Sequence, residues 1–507
     1  MLAATFRRTM TQGAGRAAAS RRTAALGQHL MSTSAPSPNA PSDQGSEASS
    51  VVLFESNSSL RTYILNRPSK LNVLNDPMLS ALKPKIEEWN NSDLCGTIVG
   101  RGSGRAFCAG GDVALVATYA ADPATRPRAI EFFQREFELD FILAALKRPY
   151  VAVMDGITMG GGVGLAANAP FRIATEKTIF AMPETKIGYC PDVGGSYFLS
   201  RLDGEIGTYL ALTADTVAGR AVFEHGLATH FIPSRRVPML LERLAELERP
   251  HPSLVDRTIE ELSEEPDRTS PSSSPFTGPT RVALDYAFRH DTIEPILKDL
   301  ETFSQSDNSD VASWASKTLS MLHMRSPTSL KVAIQAIRRG KKLSLLEALE
   351  MELRIATAFC RGASPDFITG IQSVLVKKEK DVRPDWSPAT IEEITPKIVA
   401  RFFDPESPFL RDVPSLDLPA ELVSGTIANP WKYALPSEDE IRSLVLGSHV
   451  SGGGLAFTLE ELLARFAEMR PGKMGVKEKV LEVVQRKCEL TDNNDGNRVW
   501  LKWKHQR

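Results

Sequence analysis

Several features that mark common classes of protein are scarce or missing in this sequence. Only five of its 507 residues are cysteine, and none forms a Cys-x-x-Cys pair, so neither a disulfide framework nor a zinc site is indicated. No apolar run reaches the about 20 residues that a membrane-spanning helix needs. Neither the Gly-x-Ser-x-Gly elbow of serine hydrolases nor a His-Glu-x-x-His metal motif occurs. The sequence therefore implies no metal and no cofactor, and it does not support serine-hydrolase chemistry.

Acidic residues are absent from the first 42 positions, which also lack lysine but contain five arginines. An arginine-rich, serine-rich and acid-free segment without a continuous apolar core is typical of an organelle transit peptide rather than of a secretory signal. We expect residues 1–45 to be such a peptide and a linker, with a disordered basic tail as the alternative. Without those arginines the formal charge changes from −2 to −7, which gives no bulk reason to expect nucleic-acid binding.

The most informative stretch is rich in glycine and runs from Met159 to Asp192. Gly160, Gly161 and Gly162 carry no Cβ, so the backbone can approach a ligand closely. An apolar run follows and predicts a buried helix, whose first N–H groups have no partner within the helix and favour negative charge. Ala106–Asp112 is a second glycine-rich entry into a predicted helix, and two such loops that face one point can form an oxyanion hole. A tight contact between a helix and a strand is the structural alternative.

Taken together, these motifs resemble those of the crotonase (enoyl-CoA hydratase/isomerase) superfamily, and more closely its 3-hydroxyisobutyryl-CoA hydrolase branch. The resemblance covers the chain from about residue 51 to about residue 430. The stretches that carry it are Asn66–Asn75, Ala106–Asp112, Tyr150–Gly164, Ala174–Lys177, Phe180–Gly195, Trp314–Lys331 and Asp366–Trp386.

The resemblance implies a set of site residues. The N–H groups of Gly111 and Gly161 would stabilise the oxyanion, and Glu184 and Asp192 would be the catalytic carboxylates, with Glu184 either nucleophile or general base. Glu136 would contact the substrate, although an acidic amphipathic helix explains it equally well. Without that resemblance, Glu184 reads as a helix-start carboxylate and Asp192 as a turn residue. Coenzyme A would lie along residues of two loops: Ser69, Lys70, Leu71, Gly110 and Asp112.

One position departs from the hydratases that the sequence resembles. They carry a second glutamate three residues after the oxyanion glycine, whereas this chain has Gly164. A pair of carboxylates is needed to add water across a double bond, so the departure favours a hydrolase over a hydratase.

Short apolar runs alternate with helical patterns from Val51 onward, which predicts an α/β protein, and the resemblance specifies a spiral of ββα units. We expect the spiral core at 51–290, a helical region at 291–435 and a small α+β extension at 436–507. The stretch 250–280, rich in proline, serine and acidic residues, predicts a mobile surface insertion. Ten basic and five acidic residues occupy 470–507, so the extension is expected to carry a basic face, solvated rather than bound to a partner.

Two functions from different classes follow. The first is hydrolysis of 3-hydroxyisobutyryl-CoA and other short 3-hydroxyacyl-CoA thioesters in valine breakdown, in the mitochondrial matrix. The alternative, implied by fungal members of the family, is a structural component of the small subunit of the mitochondrial ribosome, with or without hydrolase activity. The intact set of Gly111, Gly161, Glu184 and Asp192 favours the enzyme. The expected partner is an acyl-CoA and not a membrane, and the oligomeric state stays open.

Overall fold

Parallel β-structure forms the centre of the molecule in a computed structural model, which describes residues 50–264, 274, 276–379, 381–448, 457–492 and 499–504. The expected transit peptide lies outside these residues. The strands are β1 (Val52–Asn57), β2 (Leu60–Leu65), β3 (Thr97–Gly102), β4 (Ala106–Cys108), β5 (Tyr150–Met154), β6 (Ile157–Met159), β7 (Phe171–Ala174), β8 (Ile179–Ala181), β9 (Val217–Ala218), β10 (His230–Phe231), β11 (Cys488–Asp492) and β12 (Val499–Trp503).

The larger sheet has six strands in the order β1-β2-β3-β5-β7-β10. Only the β1–β2 pair is antiparallel, and every other neighbouring pair is parallel. All five residues of β5 are buried, as expected for a strand of a parallel sheet that is covered on both faces. The second sheet has the order β4-β6-β8-β9, and β11 pairs with β12 alone.

From β3 to β8, consecutive strands alternate between these sheets. β3 lies in the first sheet and β4 in the second, and β5 with β6 and β7 with β8 repeat this arrangement. Helical segments follow each pair of strands. The spiral of ββα units that was expected from the sequence is therefore confirmed, and it brings the ends of β4 and β6 side by side, where they pair in parallel.

The helices of the first half surround the sheets. They are α1 (Asp76–Asn91), α2 (Val113–Ala121), α3 (Arg126–Ala144), α4 (Gly161–Ala167), α5 (Gly195–Leu199), α6 (Ile206–Thr213), α7 (Arg220–Glu224), α8 (Val237–Ala245) and α9 (Pro252–Glu260). Helix α9 lies within the predicted surface insertion and buries Val255 and Ile259. The prediction is therefore wrong for this helix, while residues 265–273 lie outside the described part of the chain.

The region after residue 277 is mainly helical, as predicted. It contains α10 (Gly278–Ala287), α11 (Ile293–Phe303), α12 (Ser309–Met324), α13 (Pro327–Gly340), α14 (Leu345–Cys360), α15 (Asp366–Ile371), α16 (Pro396–Ala400), α17 (Ala420–Val423), α18 (Glu438–Val445), α19 (Leu459–Met469) and α20 (Val476–Lys487). Ser344 and Glu347 form a capping box at the start of α14, which satisfies two backbone donors that have no partner within the helix. None of the described helices has the length and apolar character needed to cross a membrane.

Five basic residues of the C-terminal extension form ion pairs, against expectation. Arg470 pairs with Glu440 at 2.6 Å, and Lys479 pairs with Asp203 at 2.7 Å. Lys473 pairs with Glu260, and Lys487 pairs with Asp285. Arg486 pairs with Glu438, Glu482 and Asp285. The prediction of a solvated basic face is thus wrong for these five side chains. The boundary at residue 436 stays a prediction.

Candidate active site

Two glycine loops meet at the ends of β4 and β6. Gly110 and Gly160 adopt φ angles of +112° and +48°, a region that favours glycine. A Cβ added to Gly161 would lie 3.2 Å from the backbone nitrogen of Gly111. The structure therefore brings together the two glycines that were expected to donate N–H groups to an oxyanion.

Helix α3 places Glu136 directly against these loops. The side chain is 2% exposed, and its carboxyl fills the space beside Gly161, so that any Cβ there would collide with it. Glu136 Oε1 has no hydrogen-bond partner among the described residues. Burial raises the pKa of Glu136 to about 8, because a charged carboxylate loses its hydration there.

Glu184 begins a short 3₁₀ turn, Glu184–Ile187, that follows β8. Its Oε1 lies 2.9 Å from the position that a Cβ on Gly160 would take, and its Oε2 finds no hydrogen-bond partner in the described part of the chain. Burial, supported by the negative charges of Glu136 and Glu352, raises the pKa of Glu184 to about 8. An acid with such a pKa can exchange protons near neutral pH.

Asp192 lies in the turn that leads to α5 and is 6% exposed. The Tyr189 hydroxyl donates a hydrogen bond of 3.0 Å to Asp192 Oδ2. Burial and then the charge of Glu184 hold the pKa of Asp192 well above its usual range. The electrostatic interactions of Glu136, Glu184 and Asp192 with one another place these three predicted site residues in one buried acidic group.

Sequence reasoning missed Glu352 of α14. This carboxylate accepts hydrogen bonds from the N–H of Gly194 at 2.7 Å and from the N–H of Ser196 at 2.8 Å, and burial raises its pKa to about 7. The sequence does contain a feature that points to Glu352, because this residue lies three positions after Leu349 on the apolar face of the helix. An acid on such a face needs a buried partner.

Backbone hydrogen bonds tie the expected coenzyme A segment to the glycine loop that precedes α2. Leu71 accepts a hydrogen bond from the N–H of Ala109, and Asp112 donates its N–H to Leu74, at 3.0 and 2.8 Å. These bonds hold the loop after Pro68–Lys70 alongside the glycine loop at Gly110. Lys70 is exposed, and the Asp112 carboxylate lies 3.6 Å from Arg67.

A separate cluster has the composition of a metal site. Among the described residues, His230, Asp256 and Glu260 could offer three ligand atoms to one ion. The Lys473 ammonium lies 2.5 Å from Glu260 Oε1, and burial holds the pKa of His230 well below its usual range. A cation of the chain itself, Lys473, therefore already pairs with one of the two carboxylates of this cluster.

Comparison with known proteins identifies the family of this chain. The profile of the Enoyl-CoA hydratase/isomerase family matches residues 60–403, and the chain belongs to that family. The crystal structure of a carnitinyl-CoA dehydratase from Mycobacterium thermoresistibile is similar, with a TM-score of 0.61 and 31% identity over 71% of this chain and 97% of that one. An enoyl-CoA hydratase from Rhodobacter sphaeroides also has a TM-score of 0.61, with 29% identity over 71% of this chain and 99% of that one.

Relatives with two kinds of name are similar in sequence. The mitochondrial 3-hydroxyisobutyryl-CoA hydrolase of Gallus gallus is 38% identical over 357 residues, which are 70% of this chain and 89% of that protein. The small ribosomal subunit protein mS47 of Neurospora crassa is 39% identical over 458 residues, which are 86% of this chain and 85% of that protein.

Proposed function

We propose that this protein hydrolyses 3-hydroxyisobutyryl-CoA and other short 3-hydroxyacyl-CoA thioesters in the mitochondrial matrix. The observation that carries the proposal is the position of Glu184, whose Oε1 lies beside Gly160 in the facing glycine loops and whose Oε2 has no hydrogen-bond partner among the described residues. Relatives named 3-hydroxyisobutyryl-CoA hydrolase, at 37–38% identity, support the choice of substrate.

The proposed reaction uses the geometry as follows. The thioester carbonyl oxygen accepts hydrogen bonds from the N–H groups of Gly111 and Gly161, and each such donor is worth about 3 kcal/mol in the transition state. Glu184 either attacks the carbonyl carbon, which forms an anhydride that water then cleaves, or removes a proton from an attacking water. In both cases the carbon–sulfur bond breaks, the thiolate takes a proton and the free acid leaves. Glu136, buried against the glycine loops, would contact the 3-hydroxyl group.

Turnover of 3-hydroxyacyl-CoA esters by the purified protein tests this proposal. We expect release of free thiol from 3-hydroxyisobutyryl-CoA and no hydration of crotonyl-CoA, because Gly164 supplies no second hydratase carboxylate. Robust hydration of crotonyl-CoA together with an intact thioester would contradict it.

The proposed mitochondrial location can be tested independently of the enzymatic activity. Because residues 1–42 contain arginine but no acid, we expect a segment of this kind to be removed on import. Sequencing the N-terminus of the protein isolated from mitochondria checks this. A mature chain that begins at Met1 would contradict the expectation.

A second function, as a component of the mitochondrial small ribosomal subunit, has its own supporting observation. The similarity to the protein named mS47 spans 458 residues, about a hundred more than the similarity to the animal hydrolases. The additional similarity necessarily includes residues outside 60–403. Sedimentation of a mitochondrial lysate distinguishes the functions, since a ribosomal component migrates with the small subunit and a free enzyme stays near the top of the gradient.

A further inference from the structure

Helix α3 carries a second buried acid next to the candidate site. Asp140 follows Glu136 by one helical turn and therefore lies on the same face of the helix. It is 1% exposed. A Cβ added to Gly164 would lie 2.5 Å from Asp140 Oδ2 and 2.6 Å from Val193 Cβ. The Asp140 carboxyl thus occupies the space in which a side chain at position 164 would begin.

No residue in the described part of the chain stabilises a negative charge on Asp140. Neither carboxyl oxygen has a hydrogen-bond partner among the described residues. The charges that act on Asp140 are those of Glu136 and Glu352, and both are negative. The titratable groups that face it from the adjoining strands are Tyr63, Cys108 and Tyr150.

A carboxylate buried in this way would be strongly destabilised, whereas the neutral acid would not. Burial and the neighbouring acids hold the pKa of Asp140 well above its usual range. The neutral acid also has an O–H group, which can donate a hydrogen bond to an acceptor or a buried water.

We propose that Asp140 is a positioning residue that stays protonated behind the glycine loops and fills the place of the side chain missing at 164, so that it adds no further charge against ionisation of the candidate site acids. Those acids are Glu136, Glu184 and Asp192. The effect on turnover rests on the proposed hydrolase function, while the protonation of Asp140 does not. The site therefore has an additional acid near position 164, but it comes from α3 and is uncharged.

Carbon-13 NMR of the full protein labelled at the aspartate carboxyl carbon tests the protonation directly. We expect one carboxyl signal that stays in its protonated position above about pH 7 and disappears in Asp140→Asn. The exposed Asp310→Asn variant is the matched control and should leave the signal of Asp140 unchanged. Asp192 also has a raised pKa, and Asp192→Asn identifies its signal. The wild-type titration then tests the proposal for Asp140 even if Asp140→Asn does not fold. A signal of Asp140 that titrates below about pH 6 would overturn the proposal.

Turnover measurements on variants of Asp140 provide a second test. Asparagine resembles the neutral acid, so Asp140→Asn should keep turnover within about threefold at neutral pH and should remove any loss of turnover at alkaline pH. Asp140→Leu, which has a similar outline and no polar atom, should lower turnover by about tenfold. A folded Asp140→Asn protein with a hundredfold loss would overturn the proposal, because it would show that a charged Asp140 is required. Absence of turnover in the wild type would contradict the hydrolase function alone and leave the NMR result unaffected.

Discussion

Glu352 Oε1 accepts a hydrogen bond of 2.6 Å from the hydroxyl of Ser196 as well as one from its N–H. With the additional bond from Gly194 to Oε2, one buried carboxylate of α14 fixes the turn that follows Asp192. The position of a candidate catalytic acid thus depends on a helix outside the spiral core.

Glu352→Gln should therefore lower turnover, although Glu352 itself is not expected to contact the substrate. Glutamine keeps the shape, but its NH₂ group cannot accept the N–H bond that one carboxylate oxygen accepts. We expect a loss of about 1–3 kcal/mol in unfolding free energy and a lower kcat with nearly unchanged KM. The exposed Glu350→Gln variant on the same helix is the control. Equal effects of the two substitutions would argue against this role of Glu352.

Glu184→Gln should abolish most turnover while the protein remains folded and binds thioester. Loss of a nucleophile or general base typically lowers the rate by roughly 10²- to 10⁴-fold. Because the raised pKa of about 8 leaves Glu184 mostly protonated at neutral pH, and glutamine resembles the neutral acid, thermal stability at neutral pH should stay nearly equal. Turnover and melting temperature measured on the same preparation check both statements. Near-normal turnover together with a lower melting temperature would instead indicate a helix-start carboxylate with a structural role.

The pH dependence of stability follows from the same acids. Glutamate in an unfolded chain titrates near about 4.3, whereas the folded-state pKa of Glu136 and of Glu184 is raised to about 8. The folded protein therefore binds more protons between these values, and the contribution to unfolding free energy is full below the lower value and is lost as the pH rises through about 8. Melting curves from about pH 5 to 9 should show this decline, with a smaller slope in Glu184→Gln. Parallel slopes in the two proteins would refute it.

Local patterns predicted much of the fold. Caps depend on residues three positions apart, so Thr458 and Glu461 were recognisable as a capping box, and the structure contains it. The buried strand β5 and the glycine loop that follows β6 were visible as an apolar run and a glycine cluster.

Long-range pairs could not be predicted from such patterns. A basic C-terminal stretch reads as solvated, because nothing in its own spacing reveals that Asp203, Glu260 and Asp285 lie against it. In the same way, the acid at position 140 reads as part of an amphipathic helix until the fold places Gly164 against it. The roles of Gly111, Gly161, Glu184 and Asp192 stay predictions that the described geometry supports.

Lys473→Met tests whether the C-terminal extension is part of the stable core. The Lys473 side chain is 6% exposed and pairs with Glu260 at 2.5 Å, and its ammonium also donates to the carbonyl of Thr229 at 2.8 Å. Removing one member of a buried pair leaves the other charge uncompensated, which typically costs about 3–5 kcal/mol.

We therefore expect Lys473→Met to lower the free energy of unfolding by several kcal/mol, whereas the exposed Lys477→Met should change it by no more than about 0.5 kcal/mol. Adding Glu260→Gln to Lys473→Met should recover part of the loss, because the uncompensated carboxylate is then absent. Denaturant unfolding of the four proteins, wild type included, gives these differences. If Lys473→Met and Lys477→Met are equally stable, the inward-facing ion pair does not hold the extension to the core, and an independently folding 436–507 module becomes the better description.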